Sequence, residues 1–141
     1  MTTEEEIRRL FDGWGKAIRA KDVDASLASY APDVLAFDLI NPLRYVGIDA
    51  VRARLENWFS SFAGPIGYEN RDLTIAMGDD VAFSHSLNHV SATTKDGQRL
   101  DMYWRATVCF CKLDGSWTVT HTHSSVPFDM ETGQVSLDLE P

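Results

Sequence analysis

Only two of the 141 residues are cysteine and five are proline, and basic side chains are scarce: 13 Lys and Arg stand against 21 Asp and Glu, a formal net charge of −8. Cys109 and Cys111 sit two apart in a strand-like run. They point the same way without the geometry for an easy mutual bridge. A disulfide-framed scaffold is therefore excluded, and a reducing, cytoplasmic setting is expected. The acid excess repels phosphate backbones and anionic lipid, which argues against nucleic-acid and membrane partners. No run approaches the ~18 apolar residues of a membrane span. Met1 to Arg9 is polar and acidic, with no signal-peptide core. Repeats, linkers, phosphate loops, dinucleotide fingerprints, nucleophile elbows and zinc-finger spacings are all missing.

What remains is an ordinary globular composition, 44% hydrophobic and 24% charged. It suits one domain over residues 1–141 that buries roughly two-thirds of its unfolded surface. Thr3 and Glu6 have capping-box spacing. Ile7, Leu10, Phe11, Trp14, Ala17 and Ile18 follow at helical spacing. Asp22 or Asp24 caps a short second helix that Pro32 stops. Val34 to Ile40 reads as a strand. Gly47 and Asp49 open a third helix with Ile48, Val51, Leu55, Trp58, Phe59 and Phe62 on its inner side, ended by Gly64-Pro65. Four strands follow, about Tyr68–Met77, Val81–Ala92, Gln98–Lys112 and Trp117–Ser125, with Asp96-Gly97 and Asp114-Gly115 as hairpin turns. The tail from Pro127 is acidic and weakly patterned. Helices first and an antiparallel meander last predict an α+β fold, helices over one face of a curved sheet.

If both Asp-Gly pairs form two-residue turns, the register follows. Phe83 then faces Phe110, His85 faces Val108, His89 faces Trp104, and Val108 faces His121. Facing residues, and residues two apart on one strand, share a sheet face. All four histidines, His85, His89, His121 and His123, are thereby predicted on the apolar face, with Met102, Trp104, Val108, Phe110, Trp117 and Val119. A buried imidazole costs free energy unless something satisfies it, so four of them among tryptophans predict a pocket. The other face, with Ser84, Ser86, Asn88, Tyr103, Arg105 and Thr107, is either solvated or a dimer interface.

The segment Tyr30-Ala-Pro-Asp-Val-Leu-Ala-Phe-Asp38, the loop to Gly47 and the helix opening Ile48-Asp-Ala-Val-Arg52 resemble ketosteroid isomerase and the SnoaL-like polyketide cyclases. The ending Trp117-Thr-Val-Thr-His121-Thr-His123-Ser-Ser-Val-Pro-Phe128 is similar to a SnoaL-like branch related to the association domain of calmodulin-dependent kinase II. The resemblance implies the nuclear transport factor 2-like cone, a cystatin-like barrel of three N-terminal helices on a strongly curved, mostly antiparallel sheet. It also implies a pocket and a homodimer. It places Asp38 where the isomerase has its general base. Trp14 stands where the isomerase has its oxyanion tyrosine, and no acid occurs near Ala106 or Val108, where it has its second donor.

Steroid isomerisation in that form is therefore not expected. Asp38 as base, with His121, His85 or His123 as acid or polarising donor, instead supports proton transfer beside a carbonyl in a small apolar compound. Such isomerase, cyclase or dehydratase chemistry needs no cofactor. Trp14, Trp58, His89, Trp104, Val108 and Trp117 are the expected substrate-binding residues. His121, His123, His85 and Asp38 also allow a zinc or iron site, although the resemblance points to no metal. A non-catalytic ligand-binding or dimeric assembly module is the competing expectation.

Overall fold

The computed structural model describes residues 3–141. Helix α1, Thr3–Arg19, turns Ile7, Phe11 and Ala17 into the core, as its periodicity predicts. Asp22 caps helix α2, Val23–Leu27, by accepting from the Ala25 amide at 3.0 Å. The chain then enters strand β1, Tyr30–Phe37, so Pro32 lies inside the strand rather than ending the helix. A two-residue strand β2, Tyr45–Val46, leads to Gly47, which takes φ 87° and donates its N–H to the Val34 carbonyl at 2.8 Å. A side chain would be strained in that backbone conformation. Helix α3, Ile48–Ser60, follows. Strand β3 runs Phe62–Met77, taking in Phe62, Gly64 and Pro65, which sequence reading gave to the helix and its end. Strands β4 (Val81–Thr94), β5 (Arg99–Leu113) and β6 (Ser116–Ser125) complete one six-stranded sheet in the order β2-β1-β6-β5-β4-β3. Its one parallel pair is β1 with β6. The sheet is curved but not closed, with β2 and β3 as its edges.

Two buried clusters join helices to sheet. One gathers Ile7, Phe11, Val34, Ala82, Phe110, Trp117 and Val119. The other gathers Phe59, Phe62, Ile66, Val90, Ala92 and Met102. No described helix is long and apolar enough to cross a membrane.

The sheet register corrects the predicted placement of the histidines. The β4–β5 connection is three residues, Lys95-Asp96-Gly97, not two. Thr94 donates its amide to the Gln98 carbonyl at 2.8 Å, and Gly97 takes φ 82°. A left-handed glycine at the third position is the usual closure of such a loop. The extra residue slips β4 by one. Phe83 now pairs with Cys109, His85 with Thr107 and His89 with Tyr103, while Ser84, Ser86 and Asn88 pair with Val108, Ala106 and Trp104. A one-residue slip moves every side chain to the other face. His85 and His89 therefore lie on the outer face, and Ser84, Ser86 and Asn88 are buried beneath the helices.

The β5–β6 turn does have two residues, Asp114 and Gly115, at φ 50° and 81°. Phe110 faces Val119 as expected. Beyond that pair a bulge inserts Thr120, so Cys109 faces His121 and Thr107 faces His123. The bulge inverts the alternation, and His121 and His123 also emerge on the outer face.

Candidate functional site

Between the two core clusters lies a cavity of about 230 Å³. Its walls are mostly aromatic. Phe11 and Trp14 come from α1, Trp58 from α3, Tyr30 from β1, Tyr68 from β3 and Trp104 from β5. Val108, Val90 and Met102 form part of the sheet-side floor, with Asn88 adding a polar patch. Trp58 and Trp104 meet edge to face at 6.1 Å, and Trp14 meets Tyr30 likewise at 6.1 Å. Such pairs hold one another's rotamers, so the walls are preformed. On its inner face β4 presents Ser84, Ser86 and Asn88 between Ala82 and Val90, and of these Asn88 and Val90 line the cavity.

Asp38, just past the end of β1, lies at the cavity. Its Oδ1 accepts from the Leu39 amide at 2.6 Å and its Oδ2 accepts from Arg54 Nε at 3.0 Å. Arg54 comes from α3, so this ion pair ties the strand end to the helix. Its two side chains are only 26% and 20% exposed. Less screening reaches a pair so placed than one on the open surface. Arg54 is a partner that the sequence reading did not single out.

Tyr30 and Tyr68 bring two phenols to the same region. Burial, with the Asp38 charge adding to it, pushes the Tyr30 hydroxyl up to about 12. Burial likewise raises Tyr68, and Tyr30 adds to the shift. Both remain neutral donors at pH 7. Asn70, two residues along β3 from Tyr68, bonds to the inner face of β4. Its amide nitrogen donates to Asn88 Oδ1 at 2.7 Å and to Ser86 Oγ at 2.9 Å. Sequence reading placed Ser86 and Asn88 on the outer face, where a polar pair needs no explanation. Their true position follows only from the loop length.

Of the expected site residues, Asp38, Trp14, Trp58, Trp104 and Val108 line the cavity. Trp117 does not: it is buried in the first core cluster, its indole nitrogen has no hydrogen-bond partner among the described residues, and Lys112 lies over its ring. His89 is on the outer face, stacked on Tyr103 at 4.2 Å. Its Nε2 donates to Asp101 at 2.7 Å and its Nδ1 to Glu69 at 3.2 Å. Carboxylates only accept, so making both bonds requires the doubly protonated ring. Those bonds raise His89 above its ordinary value. His121 donates through Nδ1 to the Leu35 carbonyl at 2.7 Å, and Phe37 packs edge-on against the rings of His121 and His123. His85 and His123 are exposed. None of the four imidazoles lines the cavity. Among the described residues no cluster of three or more His, Cys, Asp or Glu is placed to hold a metal ion.

The sequence model for the SnoaL-like domain matches residues 7–129. A nuclear transport factor 2-like protein of unknown function from Pseudomonas putida is 37% identical in sequence. The match covers 100% of this chain and 99% of that one, with a TM-score of 0.88. A ketosteroid isomerase-like protein from Erwinia carotovora atroseptica shares the fold at 21% identity and TM-score 0.74, over 89% of this chain and 97% of its own. A nuclear transport factor 2-like superfamily protein from Salmonella enterica does so at 15% identity and TM-score 0.79, over 92% and 94%. No curated protein sequence matches the chain.

Proposed function

The chain belongs to the SnoaL-like family, and on that premise we propose that it is a small-molecule pocket protein whose Asp38 carries out acid/base chemistry on a small apolar carbonyl compound. The reaction is of isomerase, cyclase or dehydratase type and needs no cofactor. One observation carries this reading: a carboxylate held by Arg54 at the edge of a cavity whose walls are mostly aromatic and apolar. Asp38 takes a proton from the carbon next to the carbonyl, and the C–H electron pair passes into the enolate. Returning the proton to another carbon of a conjugated enolate isomerises the compound, whereas handing it to a departing β-hydroxyl releases water, forms the α,β double bond and regenerates the carboxylate. Both oxygens of Asp38 already accept one hydrogen bond each, but a carboxylate offers about four lone-pair sites. Arg54 and the Leu39 amide therefore orient the base without exhausting it.

That same double engagement favours one other reading, in which Asp38 and Arg54 only orient a bound ligand. Acetophenone separates the two. A cavity of ~150 Å³ takes benzene, so a 230 Å³ cavity has room for one ring plus an acetyl group. Deuterium entering the methyl group of acetophenone in D2O, followed by NMR, reports proton abstraction. Positioned bases contribute roughly 10²- to 10⁴-fold. Asp38→Asn is expected to return exchange to the uncatalysed rate with the fold intact. Binding without any exchange in the unaltered protein would leave the carrier reading.

We propose also that the outer sheet face meets a second copy of the chain. The register brings Val81 and Phe83 to that face, 55% and 49% exposed, beside Leu87, Cys109 and Phe37. Exposed large apolar side chains such as Val81 and Phe83 suit an interface. A self-complementary patch suits the two-fold dimer, the commonest oligomer.

A further inference from the structure

The cavity floor holds a polar group that proton transfer by Asp38 leaves unused. Of the polar side chains in the wall, only Ser26 and Asn88 are nine-tenths buried, at 6% and 9% exposed. Ser26 is committed, since its hydroxyl donates to the Asp22 carbonyl at 2.6 Å. Asn88 is committed at one end only. Its Oδ1 accepts from Asn70 Nδ2 at 2.7 Å and from Ser86 Oγ at 3.0 Å. Two donors converging on that oxygen turn the amide nitrogen the other way. Asn88 Nδ2 then has two N–H groups and no acceptor among the described residues. It is not sealed off: among those residues Trp117 Nε1 alone is a buried side-chain nitrogen or oxygen with neither partner nor access. The donor therefore opens on the cavity that Asn88 lines. The hydroxyls of Tyr30, Tyr68, Thr122 and Ser124 belong to half-buried residues and donate or accept alike. The three indoles of the wall are half-buried too. A ligand filling the cavity takes water from the Asn88 nitrogen, and losing that bond without replacement costs affinity.

Asn88 also stands apart from Asp38. The strand order puts β1 and β4 three steps from one another, roughly 14 Å along the sheet, and curvature turns both toward one cavity. Between them β5 contributes the apolar Trp104, Ala106 and Val108. We propose that Asn88 Nδ2 donates to an acceptor atom at the end of the ligand remote from its reacting carbonyl. The substrate class narrows accordingly to carbonyl compounds that carry an ether oxygen, a second carbonyl oxygen or a ring nitrogen at that end. A hydrocarbon end leaves the donor unmet, and an ammonium opposes it with further N–H groups. Asn88 is thus a specificity-determining residue and takes no part in proton transfer. The inference takes the ligand's orientation from the acid/base reading but does not depend on turnover.

The probes are acetophenone and 4-acetylpyridine, which differ by one ring atom, an acceptor nitrogen in place of C–H opposite the acetyl group. Their dissociation constants are measured by ligand-observed NMR titration at pH 7, where the pyridine is neutral. The ratio of the two constants is expected to favour 4-acetylpyridine about 3- to 10-fold more in the unaltered protein than in Asn88→Leu, the worth of one hydrogen bond. Asn88→Ala leaves Asn70 bonded to Ser86 at 2.9 Å and should lower the ratio likewise, which covers a leucine variant that fails to fold. Tyr30→Phe and Tyr68→Phe should each keep the ratio of the unaltered protein. A ratio unchanged in the Asn88 variants, a preference lost instead in Tyr30→Phe or Tyr68→Phe, or no binding of either probe at millimolar concentration would each overturn the assignment. A preference dependent on Asn88 without deuterium exchange into acetophenone would uphold Asn88 and remove the acid/base reading. Exchange without the preference would do the reverse.

Discussion

His89 shows how one side chain reports its surroundings. Its two ring nitrogens bond Asp101 and Glu69 and its face lies on Tyr103, with Arg71 over the far ring at 5.9 Å. These carboxylate bonds raise its affinity for a proton. The sign follows from linkage: a group whose value is raised on folding stabilises the folded state below its unfolded value, ordinarily 6.5, and loses that contribution as pH rises through the raised value. Urea midpoints of the unaltered protein should therefore exceed those of His89→Gln at about pH 5.5, and the gap should close by about pH 8.5. A gap that widened with pH would mean that the imidazolium is not the bonded form. Elsewhere among single residues, Trp58 and Trp104 were legible as cavity residues from helix-face and strand-face spacing, and Asp38 and Trp14 through the family resemblance. Asn88 and Arg54 were not, because their roles depend on which distant group each meets.

Strand β4 carries the lesson of the intermediate scale. Its odd residues Val81, Phe83 and Leu87 look like the buried set, and its even residues Ala82, Ser84, Ser86 and Asn88 look like the wet one. The structure inverts this, since one residue of loop decides the face. The helices, the five main strands, the α+β class and the face of β5 were readable because each rests on a local periodicity. The histidine placement failed because it rested on two long-range registers, one reset by Lys95-Asp96-Gly97 and the other by the bulge at Thr120. The apolar outer face hid the error by supplying a plausible but false core stripe. Deleting Lys95 would impose the two-residue turn. It should drive Phe83, His85 and Leu87 under the helices in place of Ser84, Ser86 and Asn88, and so abolish cooperative thermal unfolding by calorimetry. Retention of a sharp transition at the original temperature would contradict the loop's control of register.

At the scale of the molecule, the two sheet faces divide the labour. The inner face carries the cavity between two cores. The outer face collects the imidazoles, both cysteines and an apolar stripe. Sedimentation equilibrium is expected to give twice the 15.8 kDa chain mass, and Phe83→Glu to return the monomer by burying an unpaired charge in the interface. A monomer in the unaltered protein would leave the outer stripe without its partner.

The division between faces is tested most directly by methyl deuteration of acetophenone. Three proteins are compared: the unaltered chain, Asp38→Asn, and the double variant His85→Gln/His123→Gln. The account predicts equal exchange rates for the unaltered chain and the double histidine variant, and the uncatalysed rate for Asp38→Asn. Exchange that survives Asp38→Asn but disappears with the two exposed histidines would place the chemistry on the wrong side of the sheet and contradict it.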